Sequence, residues 1–248
     1  MIHPLLLFFR IREHSFPDFT ILLYKVNEKK SNVLAQKNIF LLQSLIFSSL
    51  YGKIPYEVTD FMTYYDKNAL KLSHALFKSR MQEGDVAVDA TAGRGRDTLI
   101  LSELVGESGH VYAFDIQEDA ILSTEKLLAE HKRENVTLFL ESHHKMGDYI
   151  KHANAIVFNF GFLPGGDHSV FTHADTSICA IEAALSILAK DGFISICSYY
   201  GGDTGFDERD ALLSFLEHLD DTQYTVLLHS FHNRKNCPPL FIVIEKNR

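Results

Sequence analysis

The sequence predicts an α/β fold with a seven-stranded, mostly parallel sheet, one antiparallel strand, and helices on both faces. From residue 85 onward, short β-rich runs alternate with helical stretches. Repeated βα units of this length give a parallel sheet that is covered by helices on both sides. The last two β-rich runs have no room for a helix between them, so they should pair as a hairpin and make one strand antiparallel.

The predicted elements follow in chain order. Strands are expected at 85–89, 110–115, 136–140, 155–160, 193–199, 224–230 and 240–245. Helices are expected at 62–81, 97–105, 118–132, 176–190 and 207–219. The run Lys190-Asp191-Gly192 indicates the end of a helix followed by a turn, because glycine tolerates the backbone conformations that close a helix.

Residues 1–61 do not share this pattern. They are rich in Phe, Leu and Ile but show no clear periodicity and no repeat. We therefore divide the chain into an N-terminal extension, 1–61, and one domain, 62–248, with Met62 as the expected functional start. The alternative is that residues 1–61 form a small accessory element.

Composition excludes several classes of protein. No apolar run approaches the ~18 residues of a membrane span, and the N-terminus lacks the basic segment of a signal peptide, so no membrane association is expected. Three widely spaced cysteines form neither a disulfide framework nor a CxxC pair, which favours buried, reduced thiols, a cytoplasmic protein and no metal. The net charge of −8 cannot attract nucleic acid as a whole, so RNA binding would need a local basic rim, for which Arg94 and Arg96 are candidates.

The glycine-containing turn after the first predicted strand is the most informative segment. The strand ends at Asp89, the turn holds Gly93 and Gly95, and a helix begins near Asp97. A dinucleotide enzyme brings a phosphate to such a helix start, and here that phosphate would meet the like charge of Asp89. S-adenosylmethionine instead carries an α-amino group and a sulfonium, so the turn predicts this cofactor.

Further polar residues follow the next two strands. Asp115 ends the second strand about 20 residues beyond the glycine turn, a placement that suits hydrogen bonds to ribose hydroxyls. Ser142 and His143 follow the third strand at the carboxyl edge, where ligands of such sheets bind. We interpret them as contacts to adenine; the alternative is a capped helix start with a surface histidine.

The segment after the fourth strand is the candidate acceptor site. In amino-methylating relatives of this fold, an Asn or Asp followed by a proline-containing turn and aromatics holds the acceptor nitrogen. Asn159 matches the Asn of this pattern, although Pro164 lies further along the chain than the pattern requires. The alternative is that the segment is an ordinary loop with a Pro-Gly turn. Phe160, Phe162 or Tyr200 could stack on a base held out of its own stack. None of these residues is a convincing general base.

Several separated motifs resemble one family. They are Asp89-Ala90-Thr91-x-Gly93-x-Gly95-x-Asp97-Thr98, the runs 109–117 and 159–167, Ser142-His143, and Asn236-Cys237-Pro238-Pro239. Over residues 62–248 the chain is similar to the "putative rRNA methylase" family, whose characterised members are the MnmM (YtqB-like) tRNA methyltransferases. The resemblance implies a class I S-adenosylmethionine-dependent methyltransferase with a Rossmann-like fold.

The same resemblance implies a substrate and a set of site residues. The substrate would be the wobble uridine in the anticodon loop of tRNA, converted from 5-aminomethyl-2-thiouridine to 5-methylaminomethyl-2-thiouridine. The residues that match cofactor-binding positions are Asp89, Thr91, Gly93, Gly95, Asp97, Asp115, Gln117, Ser142 and His143. Those that match the acceptor loop are Asn159, Leu163, Pro164 and Gly165. Tyr200-Gly201-Gly202 departs from the family's His-Gly-His, and Arg94 and Arg96 depart from its glycine turn.

Other functions stay open at this point. One is a methyltransferase that acts on rRNA or on a small-molecule amine. Another, from a different class, is a non-catalytic S-adenosylmethionine-binding protein. A homodimer is one expectation for the oligomeric state.

Overall fold

The computed structural model describes residues 68–161, 174–201 and 205–247. The N-terminal extension, Met62 and the acceptor-loop residues Leu163, Pro164 and Gly165 lie outside these ranges, as does Phe162. What the sequence predicts for them stays a prediction.

Seven strands and six α-helices make up the described part of the domain. The strands are β1 (Val86–Asp89), β2 (His110–Asp115), β3 (Val136–Leu140), β4 (Ala153–Phe160), β5 (Leu188–Ser198), β6 (Tyr224–His229) and β7 (Leu240–Lys246). The helices are α1 (Ala69–Arg80), α2 (Arg96–Val105), α3 (Glu118–Glu130), α4 (Met146–Tyr149), α5 (Ala174–Ile187) and α6 (Gly205–Glu217). A single 3₁₀ turn, His143–Lys145, precedes α4 and was not predicted.

The strand order is β3-β2-β1-β4-β5-β7-β6. Neighbouring strands are parallel except at β7, which is antiparallel to both β5 and β6. This confirms the predicted seven-stranded sheet with one antiparallel strand. Because β1 lies between β2 and β4, the chain reverses its winding direction there, and a crevice opens at the carboxyl ends of these strands.

Helices cover both faces of the sheet. On one face, buried residues of α1 and α2, such as Phe77 and Leu101, pack with Ala155, Val157 and Cys197 of the strands. On the other face, residues of α5 and α6 pack with the strand residues of opposite parity, which include Ile156, Phe158 and Phe160. Alternate residues of β4 therefore belong to different cores, as the two-residue period of a strand requires.

Two local predictions need correction. Helix α5 ends at Ile187, three residues before the predicted end, because β5 already begins at Leu188, which pairs with Ala153 of β4. The Lys190-Asp191-Gly192 turn lies inside the bounds of β5, where Asp191 adopts a φ of 60° and the register shifts. Of the three cysteines, all free, Cys197 is buried but Cys179 is exposed, so the expectation of buried thiols is wrong for Cys179.

Candidate cofactor and acceptor site

The glycine turn between β1 and α2 forms the floor of the crevice. Gly93 and Gly95 have φ values of 54° and 77°, a region that other residues rarely adopt. A Cβ on Gly95 would lie 2.9 Å from the Cα of Thr124 on α3, closer than van der Waals contact permits. The turn therefore needs glycine at residue 95 both for its backbone conformation and for its packing.

Asp89 lies beneath this turn. Its side chain is 0% exposed, and its two carboxylate oxygens accept hydrogen bonds from the Thr91 N–H (3.1 Å) and the Thr98 hydroxyl (2.6 Å). Burial, followed by the negative charge of Asp97, raises the pKa of Asp89 from 3.8 to about 7. Asp89 thus acts on a ligand through its charge and through the turn that it holds, since its oxygens reach no open surface.

Asp115, at the end of β2, holds the turn from the other side. Its Oδ2 accepts a hydrogen bond from the Gly93 N–H and its Oδ1 accepts one from the Gln117 N–H, both at 2.9 Å. Each carboxylate oxygen can accept a second hydrogen bond, so a partly exposed Asp115 can still take a hydroxyl donor. The neighbouring Ile116 side chain is 60% exposed and offers an apolar surface beside this carboxylate.

His143 closes the crevice from the start of the 3₁₀ turn. Burial lowers the pKa of His143 from 6.5 to about 4, so its ring is neutral near pH 7. Its Nδ1 lies 3.0 Å from the carbonyl oxygen of Ala90, which can only accept, so Nδ1 carries the proton and Nε2 is left as an acceptor. The neighbouring Ser142 hydroxyl is hydrogen-bonded to His144 at 2.8 Å. The His143 ring is therefore bonded to the chain directly after β1, beside the glycine turn, and its contact to adenine stays a prediction.

Asn159, one residue before the end of β4, belongs to a chain of three side chains. Its Nδ2 donates a hydrogen bond to Asp97 Oδ2 at 2.9 Å, and Asp97 Oδ1 lies 2.7 Å from Nε2 of His74 on α1. The backbone N–H of Asn159 also donates to the Thr91 hydroxyl at 2.8 Å. The glycine turn and β4 are thus linked directly through Thr91, and β4 is linked to the start of α2 through Asp97.

The aromatic residues next to Asn159 occupy other places than those expected for stacking. Phe160 is 0% exposed and packs in the α5/α6 core, with its ring centroid 5.0 Å from that of Phe158. The expectation that Phe160 stacks on a substrate base is therefore wrong in this structure. Tyr200 remains partly exposed, and its ring centroid lies 5.7 Å from that of Phe206. The Arg209 guanidinium lies 4.8 Å from the centroid of the Tyr200 ring.

The structure therefore gathers nearly all the predicted site residues that it describes along one edge of the sheet. Sequence reasoning missed His74, which lies 23 residues before its partner Asp97, and it missed Ile116. An apolar residue directly after the strand-end acid was the available signal for Ile116. No local signal distinguished His74 from an ordinary helix residue.

The donor set fits S-adenosylmethionine. Carboxylates of Asp97 and Asp115 can accept hydrogen bonds from an amino group and from ribose hydroxyls, and Ile116 and His143 offer an apolar face and an acceptor for a purine. The buried negative charge of the cluster favours a cation over a phosphate. Within the described ranges, no group of three or more His, Cys, Asp and Glu side chains is arranged to hold a metal ion, and no helix is long and apolar enough to cross a membrane.

Comparison with known proteins gives consistent matches. The family model described as "Putative rRNA methylase" matches residues 111–245. A chloroplastic protein of Arabidopsis thaliana named tRNA (mnm(5)s(2)U34)-methyltransferase is 35% identical over 192 residues, which cover 73% of this chain and 70% of that protein.

Solved structures agree with this match. A "putative rRNA-methylase" from Clostridium thermocellum is 44% identical, with a TM-score of 0.71 and coverage of 72% of this chain and 97% of that one. A methyltransferase from Streptococcus mutans, solved in complex with SAH, is 36% identical, with a TM-score of 0.67 and coverage of 72% and 98%. The protein is a class I methyltransferase that uses S-adenosyl-L-methionine, and the chain belongs to the rRNA methylase family.

Proposed function

We propose that this protein methylates the primary amine of 5-aminomethyl-2-thiouridine at the wobble position of tRNA, giving 5-methylaminomethyl-2-thiouridine. The observation that carries the proposal is the 35% identity to a relative whose name states this class of substrate, over 70% of that relative's length. The orientation of the Asn159 amide also supports an amine acceptor.

The chain's own residues would align the acceptor amine. When bound, S-adenosylmethionine supplies an electrophilic methyl group on its sulfonium sulfur. Asp97, Asp115 and the glycine turn would hold the cofactor, and Asn159 lies within 2.9 Å of Asp97, so the two binding regions adjoin. Holding two reactants in a reactive geometry accounts for a large part of the barrier reduction in such transfers.

Asn159 offers one atom to this acceptor. Its Nδ2 donates to Asp97, so the carbonyl oxygen Oδ1 remains to accept a hydrogen bond. A neutral amine has N–H groups to donate and a lone pair to attack with, so an amide oxygen can orient it without consuming the lone pair. An acceptor without an N–H or O–H would find no partner there.

An RNA substrate is supported by two arginines of the glycine turn. Arg94 and Arg96 are both exposed, on either side of Gly95 at the carboxyl edge of the sheet. Phosphate contacts of this kind supply most of the affinity of proteins for nucleic acid. Here they would act as a local basic rim on an otherwise acidic protein.

The proposal is tested with tRNA from cells that lack this protein. Purified protein, S-adenosylmethionine and this tRNA are incubated, and the nucleosides are then identified by mass spectrometry, with the Asn159→Ala variant as control. We expect the wobble nucleoside to gain one methyl group with the wild-type protein and to remain unchanged with the variant. Unchanged wobble uridines with the wild-type protein would overturn the assignment.

A second candidate function is methylation of rRNA, because the description of the matching family model names that substrate. Ribosomes and total RNA from the same cells serve as a parallel substrate in the assay. Methyl transfer to rRNA and not to tRNA would favour this alternative. The predicted homodimer and cytoplasmic location stay predictions.

A further inference from the structure

His74 on α1 lies against the acceptor region although no sequence motif includes it. Its Nε2 is 2.7 Å from Asp97 Oδ1, and the same carboxylate accepts the Nδ2–H of Asn159 through its other oxygen at 2.9 Å. One oxygen of the Asp97 carboxylate thus bonds to the helix residue His74, and the other oxygen bonds to Asn159. Asp97 itself is only 6% exposed, so water competes weakly for these bonds.

The packing of α1 holds His74 in this place. The neighbouring Ser73 is buried, and its hydroxyl lies 2.7 Å from that of Ser195 on β5. The His74 ring contacts that of Phe77, with 5.9 Å between centroids, and its side chain keeps 23% exposure. The helix is therefore fixed to the sheet on one side of His74 and to α2 through His74 itself.

The direction of the hydrogen bonds determines how the Asn159 amide is oriented. An ionised carboxylate has no proton to give, so Nε2–H of His74 and Nδ2–H of Asn159 must both donate to Asp97. The amide then cannot exchange its NH2 and carbonyl ends without placing Oδ1 against an anion. Its carbonyl oxygen is held away from Asp97, in the direction left for a substrate.

Loss of His74 would remove this constraint. Asp97 would keep one donor, in a site where the buried Asp89 also lies and where Tyr199 and Cys197 interact with its charge. Without the bond from His74, the Asp97 side chain is held at one oxygen only and can rotate. The Asn159 amide, which is bonded to that side chain, then loses its fixed orientation toward the acceptor.

We propose that His74 is a positioning residue, which acts through Asp97 to fix the Asn159 amide with its carbonyl oxygen directed to the acceptor amine. This inference rests on the proposed role of Asn159 at the acceptor. His74 touches neither reacting atom. It holds in place the carboxylate to which the Asn159 amide is bonded.

Two variants at this position separate hydrogen bonding from packing. His74→Phe keeps a ring against Phe77 but has no N–H, whereas His74→Gln places an amide N–H near the position of Nε2. His152→Leu is a matched control, because His152 is exposed and lies beside the other end of β4. Each variant is first checked for an unchanged Tm, with His74→Leu as a second donor-free variant if His74→Phe is destabilised.

The first readout needs no substrate. The side-chain NH2 resonances of Asn159, assigned by their loss in Asn159→Ala, report the bond to Asp97 by NMR. We expect wild type, His74→Gln and His152→Leu to share one pair of slowly exchanging signals, and His74→Phe to show shifted, rapidly exchanging signals. Identical signals in His74→Phe and wild type would overturn the proposal.

The second readout is the division between kcat and KM on the methyl acceptor. We expect His74→Phe to lower kcat about 10- to 100-fold, as misplacement of an aligning group does, with the dissociation constant for S-adenosylmethionine within about threefold of wild type. His74→Gln should recover most of kcat. Equal losses in both variants would mean that His74 only packs. A wild-type protein inactive on tRNA would contradict the proposed substrate, while the NMR readout would still decide the role of His74.

Discussion

The two halves of the crevice are held together in different ways. On the cofactor side, Asp89 accepts hydrogen bonds from the Thr91 N–H and from the Thr98 hydroxyl of α2. Asp115 accepts hydrogen bonds from the N–H groups of Gly93 and Gln117. On the acceptor side, Asn159 depends on Asp97, 62 residues away, and through it on His74. The first half is held mainly by backbone N–H groups of the turns beside the two strand ends, and the second is built from side chains of three separate elements.

This difference predicts separate effects on binding and on turnover. Changes to the strand-end acids should act on cofactor affinity, whereas changes to the Asn159 chain should act on the rate of methyl transfer. Thr91 and Asp97 join the two halves, so substitutions there should affect both.

The largest effect is expected at Asn159. In the proposed function the Asn159 carbonyl oxygen orients the acceptor, and Asn159→Ala removes it. The value of kcat should therefore fall about 100-fold or more, whereas the dissociation constant for the cofactor should change by less than about threefold. Single-turnover methylation and titration calorimetry measure the two quantities. A parallel loss of turnover and of cofactor affinity would show that Asn159 has no separate acceptor role.

The next effect is expected at Asp115. In Asp115→Asn, an NH2 group replaces one oxygen and faces a backbone N–H of Gly93 or Gln117, so one donor is left without an acceptor. The amide also no longer offers a carboxylate to a ribose hydroxyl, and because a hydrogen bond to a charged group contributes about 1.5–3 kcal/mol, cofactor affinity should fall roughly 10- to 100-fold. Titration calorimetry checks this, with exposed Asp119→Asn on α3 as the control. If Asp115→Asn lowered kcat at saturating cofactor but left cofactor affinity unchanged, the assignment of Asp115 to cofactor binding would be contradicted.

The same difference explains what the sequence could predict. Strands β2 and β3 have the predicted bounds, and the strand-end acids were identified, because a strand, an acid and a glycine turn form a continuous local pattern. His74 lies in a helix interior, and its partner is defined only once α1 packs on α2 and β5. No local pattern of residues in the sequence indicates the contact between His74 and Asp97.

The error at Phe160 has a different cause. Consecutive strand residues point to opposite faces of a sheet, so Asn159 and Phe160 cannot both face the acceptor. The structure places Asn159 toward α1 and α2, and it places Phe160 in the α5/α6 core. That part of the site could have been predicted from strand periodicity alone.

Cofactor affinity should also depend on pH. In the free protein the pKa of Asp89 is about 7 instead of 3.8, because of burial and of the charge of Asp97. A cationic cofactor favours the ionised carboxylate, so binding below this pKa is coupled to loss of a proton. Affinity for S-adenosylmethionine should therefore rise with pH between about 6 and 8, by at most about tenfold per unit, and then level off.

After burial, the Asp97 charge is the next largest cause of the raised Asp89 pKa, so it shifts the pH at which this rise in affinity occurs. Asp97→Asn removes the like charge, so the pKa of Asp89 should fall and the affinity rise should move to lower pH. Calorimetry across the pH range measures the midpoint, and exposed Asp148→Asn serves as the control. The raised pKa also has a consequence of the opposite sign for stability: it favours the folded, cofactor-free protein fully below the unfolded pKa of 3.8, and that contribution is lost as pH rises through about 7. A pH-independent affinity would mean that the buried charge of Asp89 does not act on the ligand.

The smallest effect is expected at the basic rim, which belongs to neither half. Arg94→Gln and Arg96→Gln together should raise KM for RNA about three- to tenfold. The slope of the logarithm of the RNA association constant against the logarithm of salt concentration should become shallower by ~1 for each phosphate contact that is lost. Both kcat and cofactor affinity should stay unchanged, because both arginine side chains are exposed to solvent. The control removes two exposed lysines elsewhere, Lys126 on α3 and Lys151 before β4. If the control variant weakened RNA binding as much as the arginine variant did, RNA would be held by general charge, and the acceptor would reach Asn159 without guidance from the glycine turn.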